Sequence, residues 1–187
     1  MIRGGDIAKG TVLLINGHPH IVVDREFVNP GKGAAFARLK AKNMRNGNVV
    51  TQTIKTQDTV EDAQVDLVDC QYQYGDAETF VFMNNENFEQ YFIPCVGHED
   101  RRYYLMEGET YTIVFWEHEA IDIRIPYKMV FTVTESENYI RGDTVSGATK
   151  PVVCETGLVV RVPLFIKQGE KILVNTETNE YQERVNE

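Results

Sequence analysis

The sequence predicts an all-β protein made of three small β-barrel domains in a row, the first of the SH3-like kind and the next two of the OB-fold kind. Three observations carry that expectation. Short runs rich in Val, Ile, Thr, Tyr and Phe recur along the whole 187-residue chain, separated by Asn-Gly, Pro-Gly and Gly-Asp turn signals. Only residues 98–105 read as a helix, a short one set between Gly97 and Gly108. The strand pattern also weakens twice, at residues 56–65 and at Pro126, which divides the chain into blocks of about sixty residues. The expected domains are residues 1–64, 65–128 and 129–187.

In the first block, residues 11–16 and 19–23 are β-rich runs joined at Asn16-Gly17, a strong hairpin signal. Residues 35–43 alternate. Phe36, Arg38, Lys40 and Lys42 share one parity, and Ala35, Ala37, Leu39 and Ala41 share the other, giving a strand with a basic face and a small apolar face. Arg45-Asn46-Gly47-Asn48 is a second hairpin turn, and residues 49–55 return as a Thr-rich strand. In the second block, residues 65–74, 79–84, 90–94, 110–117 and 120–125 read as strands, with a turn at Gly75-Asp76. Five strands and one short helix suit an OB barrel. In the third block, residues 129–134, 158–162, 171–175 and 181–185 are strands, and Gly142-Asp143-Thr144 is a loop. Domains this small bury a modest share of their surface, so neighbouring barrels are expected to pack on one another.

Between the second and third strands of the first block lies the stretch that stands out, Asn29-Pro30-Gly31-Lys32-Gly33. It reads as a type II turn, with proline presetting the first central position and Gly31 taking the positive φ of the second. Lys32 then sits at a hairpin tip between two residues without side chains, so a large partner can approach its backbone from either side. A phosphate-cradling P-loop is excluded by pattern, because Gly33 follows the lysine where Ser or Thr is required.

The net charge of −9 is unevenly spread. Residues 1–64 balance to +3, residues 65–128 to −9 and residues 129–187 to −3. The basic residues Arg25, Lys32, Arg38, Lys40, Lys42 and Arg45 gather around the loop. A basic end releases counterions on meeting phosphates, and an acidic remainder limits indiscriminate binding. No apolar run is long enough to span a bilayer, no signal-peptide core opens the chain, and no membrane partner is expected, so a cytoplasmic location is expected. Cys70, Cys95 and Cys154 are odd in number with no Cys-x-x-Cys, as for buried thiols rather than a disulfide framework or zinc site. His18 and His20 share a strand face but lack further ligands nearby, so no metal or cofactor is expected. No nucleophile elbow or patterned acid pair appears, which argues against an enzyme. Tyr111 and Trp116 read as packing residues, as do Tyr103 and Tyr104, although the latter two could stack on bases.

With these residues in view, Glu26-Phe27-Val28-Asn29-Pro30-Gly31-Lys32-Gly33-Ala34-Ala35-Phe36-Ala37-Arg38 resembles the tip loop of the bacterial elongation factor P family. Phe82-Met83-Asn84-Asn85-Glu86-Asn87-Phe88-Glu89-Gln90 resembles its middle domain. The run from 150 to 176, opening Lys150-Pro151-Val152-Val153-Cys154-Glu155-Thr156-Gly157-Leu158, resembles its C-terminal signature. The resemblance implies an SH3-like (KOW-like) domain and two OB domains in an L-shaped, tRNA-like arrangement. It implies a monomer that binds the 70S ribosome between the P and E sites and touches the CCA end and acceptor arm of P-site peptidyl-tRNA. There the family speeds peptide-bond formation at consecutive prolines, the ribosome performing the chemistry. Lys32 corresponds to the family's tip lysine, which some lineages extend through a lysine-modifying enzyme. Ala34 stands where the β-lysylated loop has Gln. Gly142, Asp143 and Thr144 resemble the third-domain loop near the exit-site codon, and Tyr181 and Arg184 fall at the family's C-terminal tyrosine and arginine. With Pro30, Gly31, Gly33, Arg38 and Lys40, these are the expected ribosome- and tRNA-binding residues. The alternatives are the paralogous factor-P-like protein and a generic single-stranded RNA-binding OB/SH3 module.

Overall fold

The computed structural model describes residues 1–137 and 148–186. Strands β1 (Ile2–Arg3), β2 (Val12–Ile15), β3 (His18–Val28), β4 (Phe36–Asn43), β5 (Val49–Lys55) and β6 (Thr59–Val60) form the first barrel. The β2-β3-β4-β5 sheet is an antiparallel meander, and β1 pairs with β6 to close it. β6 lies inside the segment read from sequence as a boundary. Two residues are too few to leave a periodic signal. The Asn16-Gly17 turn holds both residues at positive φ (54° and 76°), the type I′ geometry expected of that dipeptide. Burial in β4 alternates as its sequence does: Ala37, Leu39 and Ala41 are fully buried, while Arg38 and Lys40 are exposed.

The second barrel comprises β7 (Asp66–Gly75), β8 (Thr79–Asn84), β9 (Gln90–Pro94), β10 (Thr110–Trp116) and β11 (Glu119–Arg124). The third comprises β12 (Lys128–Ser136), β13 (Thr149–Cys154), β14 (Val159–Pro163), β15 (Lys171–Asn175) and β16 (Glu180–Val185). Both have the same strand order. Reading across each sheet, the orders are β9-β8-β7-β10-β11 and β14-β13-β12-β15-β16, with the first strand in the middle. In each, the first strand is shared between two partners. β7 pairs with β8 and β10, and β12 with β13 and β15. Each first strand is bulged, at Gln73 and at Thr134, and a bulge bends a strand enough to serve two halves of a barrel. The expected helix is a 3-10 helix over Glu99–Tyr104, between β9 and β10.

β13 escaped the sequence reading. Pro151 removes a ladder donor from this strand, and Lys150 occupies an inward position. Both are accommodated locally. The β12 pairing covers Val152, Val153 and Cys154 and does not reach Pro151. The Lys150 ammonium donates to the Glu137 carbonyl at 2.9 Å.

The second and third barrels share one apolar cluster, from Cys70, Phe80 and Phe82 through Ile113 and Ile123 to Phe131, Val160 and Ile172. Tyr104 meets Phe131 edge-on at 6.3 Å across their junction. The first barrel has its own core of Ile7, Leu13, Val22, Ala37 and Leu39. A small cluster of Val12, Met44, Val114 and Ile121, with Trp116 packed against it, joins it to the second. The accessible surface is 11459 Å², against about 9100 Å² for a compact monomer of this mass. The excess is that of barrels set side by side rather than around one centre.

Candidate functional site

Val28 and Phe36 form the last ladder pair of β3 and β4, and residues 29–35 extend beyond the sheet as the tip. Lys32 is exposed in the middle of this loop. The positive φ lies at Gly33 (110°) and not at Gly31, so the type II turn over residues 29–32 does not form. The loop bends one residue pair later than the Pro-Gly dipeptide suggests, with the lysine before the left-handed residue. The openness around the lysine holds all the same. A Cβ on Gly31 would meet nothing within 4 Å, and one on Gly33 would meet only the Pro30 ring at 4.0 Å.

Four other cations of the first barrel are differently placed. Arg38 pairs with Glu26 at 3.2 Å, and Lys40 with Asp24 at 3.5 Å, each across the β3–β4 ladder. The Arg25 guanidinium donates to the Gly5 carbonyl at 2.8 Å and lies 6.0 Å from the centre of the Phe27 ring. Arg45 is not at the tip. It sits at the opposite end of β4, where it pairs with Glu119 and covers the Trp116 ring at 5.3 Å. The basic cluster of the sequence is therefore split between two ends of one strand. Lys32, by contrast, has no acidic partner among the described residues. Below it, Phe27 is exposed while Val28 and Phe36 are half-buried, an apolar collar under the cation.

Far along the chain, β16 carries Tyr181 and Arg184. The β15–β16 register skips Gln182, and this bulge brings the two residues together. Tyr181 is half-buried, and its hydroxyl is pushed up from its ordinary pKa mainly by burial, against the opposing pull of Arg184. Arg184 pairs with Glu170 at 3.2 Å. Gly142, Asp143 and Thr144 lie outside the described residues. Of the remaining residues singled out from sequence, Tyr111 is buried and its hydroxyl donates to the Tyr104 carbonyl at 2.9 Å. Tyr103 is exposed, and its carbonyl accepts a hydrogen bond from the Thr156 hydroxyl. His20 is buried with Nδ1 2.8 Å from the His18 carbonyl, while His18 is exposed, so the two rings do not converge.

The residues sequence reasoning missed lie between the first two barrels. Gly47 and Gly97 touch backbone to backbone. Beside them, buried His98 faces buried Asp122 with Nδ1 to Oδ1 at 3.3 Å, and Arg101 approaches the same oxygen at 3.6 Å. The His98 nitrogen is near enough for an ion pair but off the line of a hydrogen bond. Glycine before a polar segment was the one available signal, and it is shared by any loop.

An exposed, glycine-flanked ammonium on an SH3-like barrel, followed by two OB barrels, can donate to phosphate oxygens or ribose hydroxyls without reading base sequence. Residues 3–60 match the elongation factor P (EF-P) KOW-like domain, residues 65–123 the EF-P OB domain, and residues 129–184 the elongation factor P C-terminal domain. Such a chain is a translation elongation factor. It is 70% identical over 186 residues to Elongation factor P of Treponema denticola, covering 100% of both chains. It is 68% identical over 187 residues to that of Treponema pallidum, again with 100% of both covered. Elongation factor P of Borrelia duttonii is 46% identical over 187 residues, with 98% of this chain and 97% of the relative covered. The chain belongs to the elongation factor P family and, as a member of it, acts with the ribosome. Among solved structures it is similar to eukaryotic translation initiation factor 5A from Methanococcus jannaschii. That likeness has a TM-score of 0.48 and 20% identity, covering 66% of this chain and 92% of the other. Among the described residues no helix is long and apolar enough to cross a membrane.

Proposed function

We propose that this protein binds the ribosome between the P and E sites as a cytoplasmic monomer and relieves stalling at consecutive prolines. Lys32 contacts the CCA end of the peptidyl-tRNA, and the ribosome carries out the bond-forming chemistry. Proline reacts sluggishly because its ring fixes φ and restricts the poses of the reacting ends. Orientation of reactants can supply several kcal/mol, so a partner that steadies the donor end accelerates the step without touching the reacting bond.

The observation that carries this reading is the isolation of Lys32. It is the tip cation, it is exposed, and it has no acidic partner among the described residues. A free ammonium meets phosphate or 2′-OH without first breaking an internal pair. Arg38 and Lys40 lie along the acceptor arm, with Pro30, Gly31 and Gly33 giving the lysine room. Gly142, Asp143 and Thr144 belong to the contact at the exit side, and Tyr181 and Arg184 are further ribosome-binding residues. A lysine-modifying enzyme acting on Lys32 would lengthen its reach, and the open flanks of Gly31 and Gly33 admit such an enzyme. Full-length identity to proteins named Elongation factor P favours this reading over the paralogue or a generic RNA-binding module.

The test is the rate of Pro-Pro bond formation on purified ribosomes with Lys32→Ala. Stimulation is expected to be lost while stability stays within about 0.5 kcal/mol of the parent, as for other exposed substitutions. Full stimulation by this variant would contradict the proposal.

A further inference from the structure

The β4–β5 turn, Arg45-Asn46-Gly47-Asn48, lies at the far end of β4 from the tip and rests on the second barrel just before its 3-10 helix. The contact is made of backbone alone. A Cβ on Gly97 would stand 2.6 Å from the Asn46 carbonyl carbon and 2.7 Å from the Gly47 nitrogen. A Cβ on Gly47 would stand 2.9 Å from the Gly97 Cα. Neither side has a flexible side chain that could move aside. Two peptide planes therefore meet at a separation that only glycine on both turns permits. Around the contact, Arg45 pairs with Glu119 and covers Trp116, and Val12, Met44, Val114 and Ile121 close a small apolar seam.

β4 runs directly from this contact to the tip. Its eight residues, Phe36–Asn43, span about 24 Å of extended chain. β4 is paired on both sides along its length, with β3 and with β5, so it transmits a tilt rather than absorbing it. A gap opened at one end near the pivot is magnified at the other end, where Lys32 sits.

We infer that the Gly47–Gly97 contact is a positioning element. It sets the angle of the first barrel on the second and thereby the place of the Lys32 ammonium relative to the part of the molecule that anchors it. This inference rests on the role proposed for Lys32, and it deepens that role by naming what aims the lysine.

The experiment uses the full chain and two independent readouts. Gly97→Ala and Gly47→Ala wedge the contact from opposite sides, so one serves if the other fails to fold. Gly108→Ala and Gly17→Ala are the controls. Their φ values, 85° and 76°, match the 81° and 73° of Gly97 and Gly47, but a Cβ at either meets nothing within 4 Å. The controls thus carry the same backbone strain without the wedge. Residual dipolar couplings give the orientation of the first barrel relative to the second in solution, with no ribosome involved. The rate of Pro-Pro bond formation at saturating factor, and the half-saturating concentration, give the functional readout.

Both wedge variants should reorient the first barrel. They should lower the saturated rate by up to about a hundredfold, the cost of roughly 1 Å misplacement of an orienting group. Half-saturation should change far less, and the controls should match the parent in both. Unchanged couplings in both wedge variants would overturn the inference at the level of structure. A reoriented barrel with an undiminished rate would overturn the claim that the contact aims the lysine. Neither outcome bears on Lys32→Ala, so failure of the positioning claim and failure of the proposed function are separately visible.

Discussion

Arg38 Nη1 lies 3.2 Å from Glu26 Oε2, directly across the ladder between β3 and β4. Lys40 and Asp24 repeat the arrangement two residues along, at 3.5 Å. The basic face of the first barrel is therefore partly compensated before it meets any phosphate, while Lys32 at the tip has no acidic partner among the described residues. Exposed pairs of this kind contribute at most about 1 kcal/mol to stability, so their effect on binding should exceed their effect on folding.

Replacing both acids, Glu26→Gln with Asp24→Asn, is expected to tighten ribosome binding several-fold at low salt. The dependence of log Kd on log salt should steepen, because each freed cation adds to counterion release. Arg38→Gln with Lys40→Gln should weaken binding and flatten the same slope. Binding titrations across a salt series decide the matter, and a slope unchanged in both variants would show that this face meets no phosphate.

Phe131 is fully buried in the cluster shared by the second and third barrels and stacks edge-on with Tyr104. Phe131→Ala is expected to cost about 3–5 kcal/mol. Because the core is continuous, urea unfolding followed separately in the two barrels should shift in both. A shift confined to the third barrel would contradict a common core.

Burial alone would raise the Asp122 carboxyl. The facing His98 ring, the charge of Arg101 and the Ile123 backbone N–H outweigh it and hold the group below its usual value. A carboxyl depressed in the folded state adds stability above the ordinary carboxylate pKa, near 4. That stability is lost as pH falls through the lower folded value. Asp122→Asn should therefore be less stable than the parent at neutral pH, with the deficit shrinking on acidification below about pH 4. Urea midpoints measured from pH 7 to pH 3 test this, and a deficit that grows on acidification would contradict it.

The fold was legible wherever periodicity and turn chemistry agreed. Asn16-Gly17 marked its hairpin, and Ala37, Leu39 and Ala41 marked the inner face of β4. The middle barrel's five strands were readable because each is five or more residues long. β13 was not legible, since Pro151 and the inward Lys150 both argue against a strand until the Glu137 carbonyl and the end of the β12 pairing are seen. The site was legible in part. Lys32 between two glycines is local, so sequence shows it. The cross-strand partners Glu26 and Asp24, the removal of Arg45 to the other end of β4 and the Gly47–Gly97 contact depend on register and packing, which a linear reading does not contain.

Cys70 and Cys154 are buried, and burial pushes both thiols up to about 11. Neither should react with a thiol-specific disulfide reagent in the native state at neutral pH. Both should become reactive in step with unfolding in denaturant. Rapid native labelling of either residue, located by peptide mass, would contradict the closed barrels described above.

The role proposed for Lys32, an exposed lysine at the end of a hairpin that steadies the donor tRNA, can be tested directly. The most direct measurement is a density map of the factor on a ribosome stalled at consecutive prolines. The Lys32 side chain is expected within hydrogen-bonding reach of the CCA end of the peptidyl-tRNA. A map in which the tip loop faces solvent, with another part of the protein against the acceptor terminus, would contradict it.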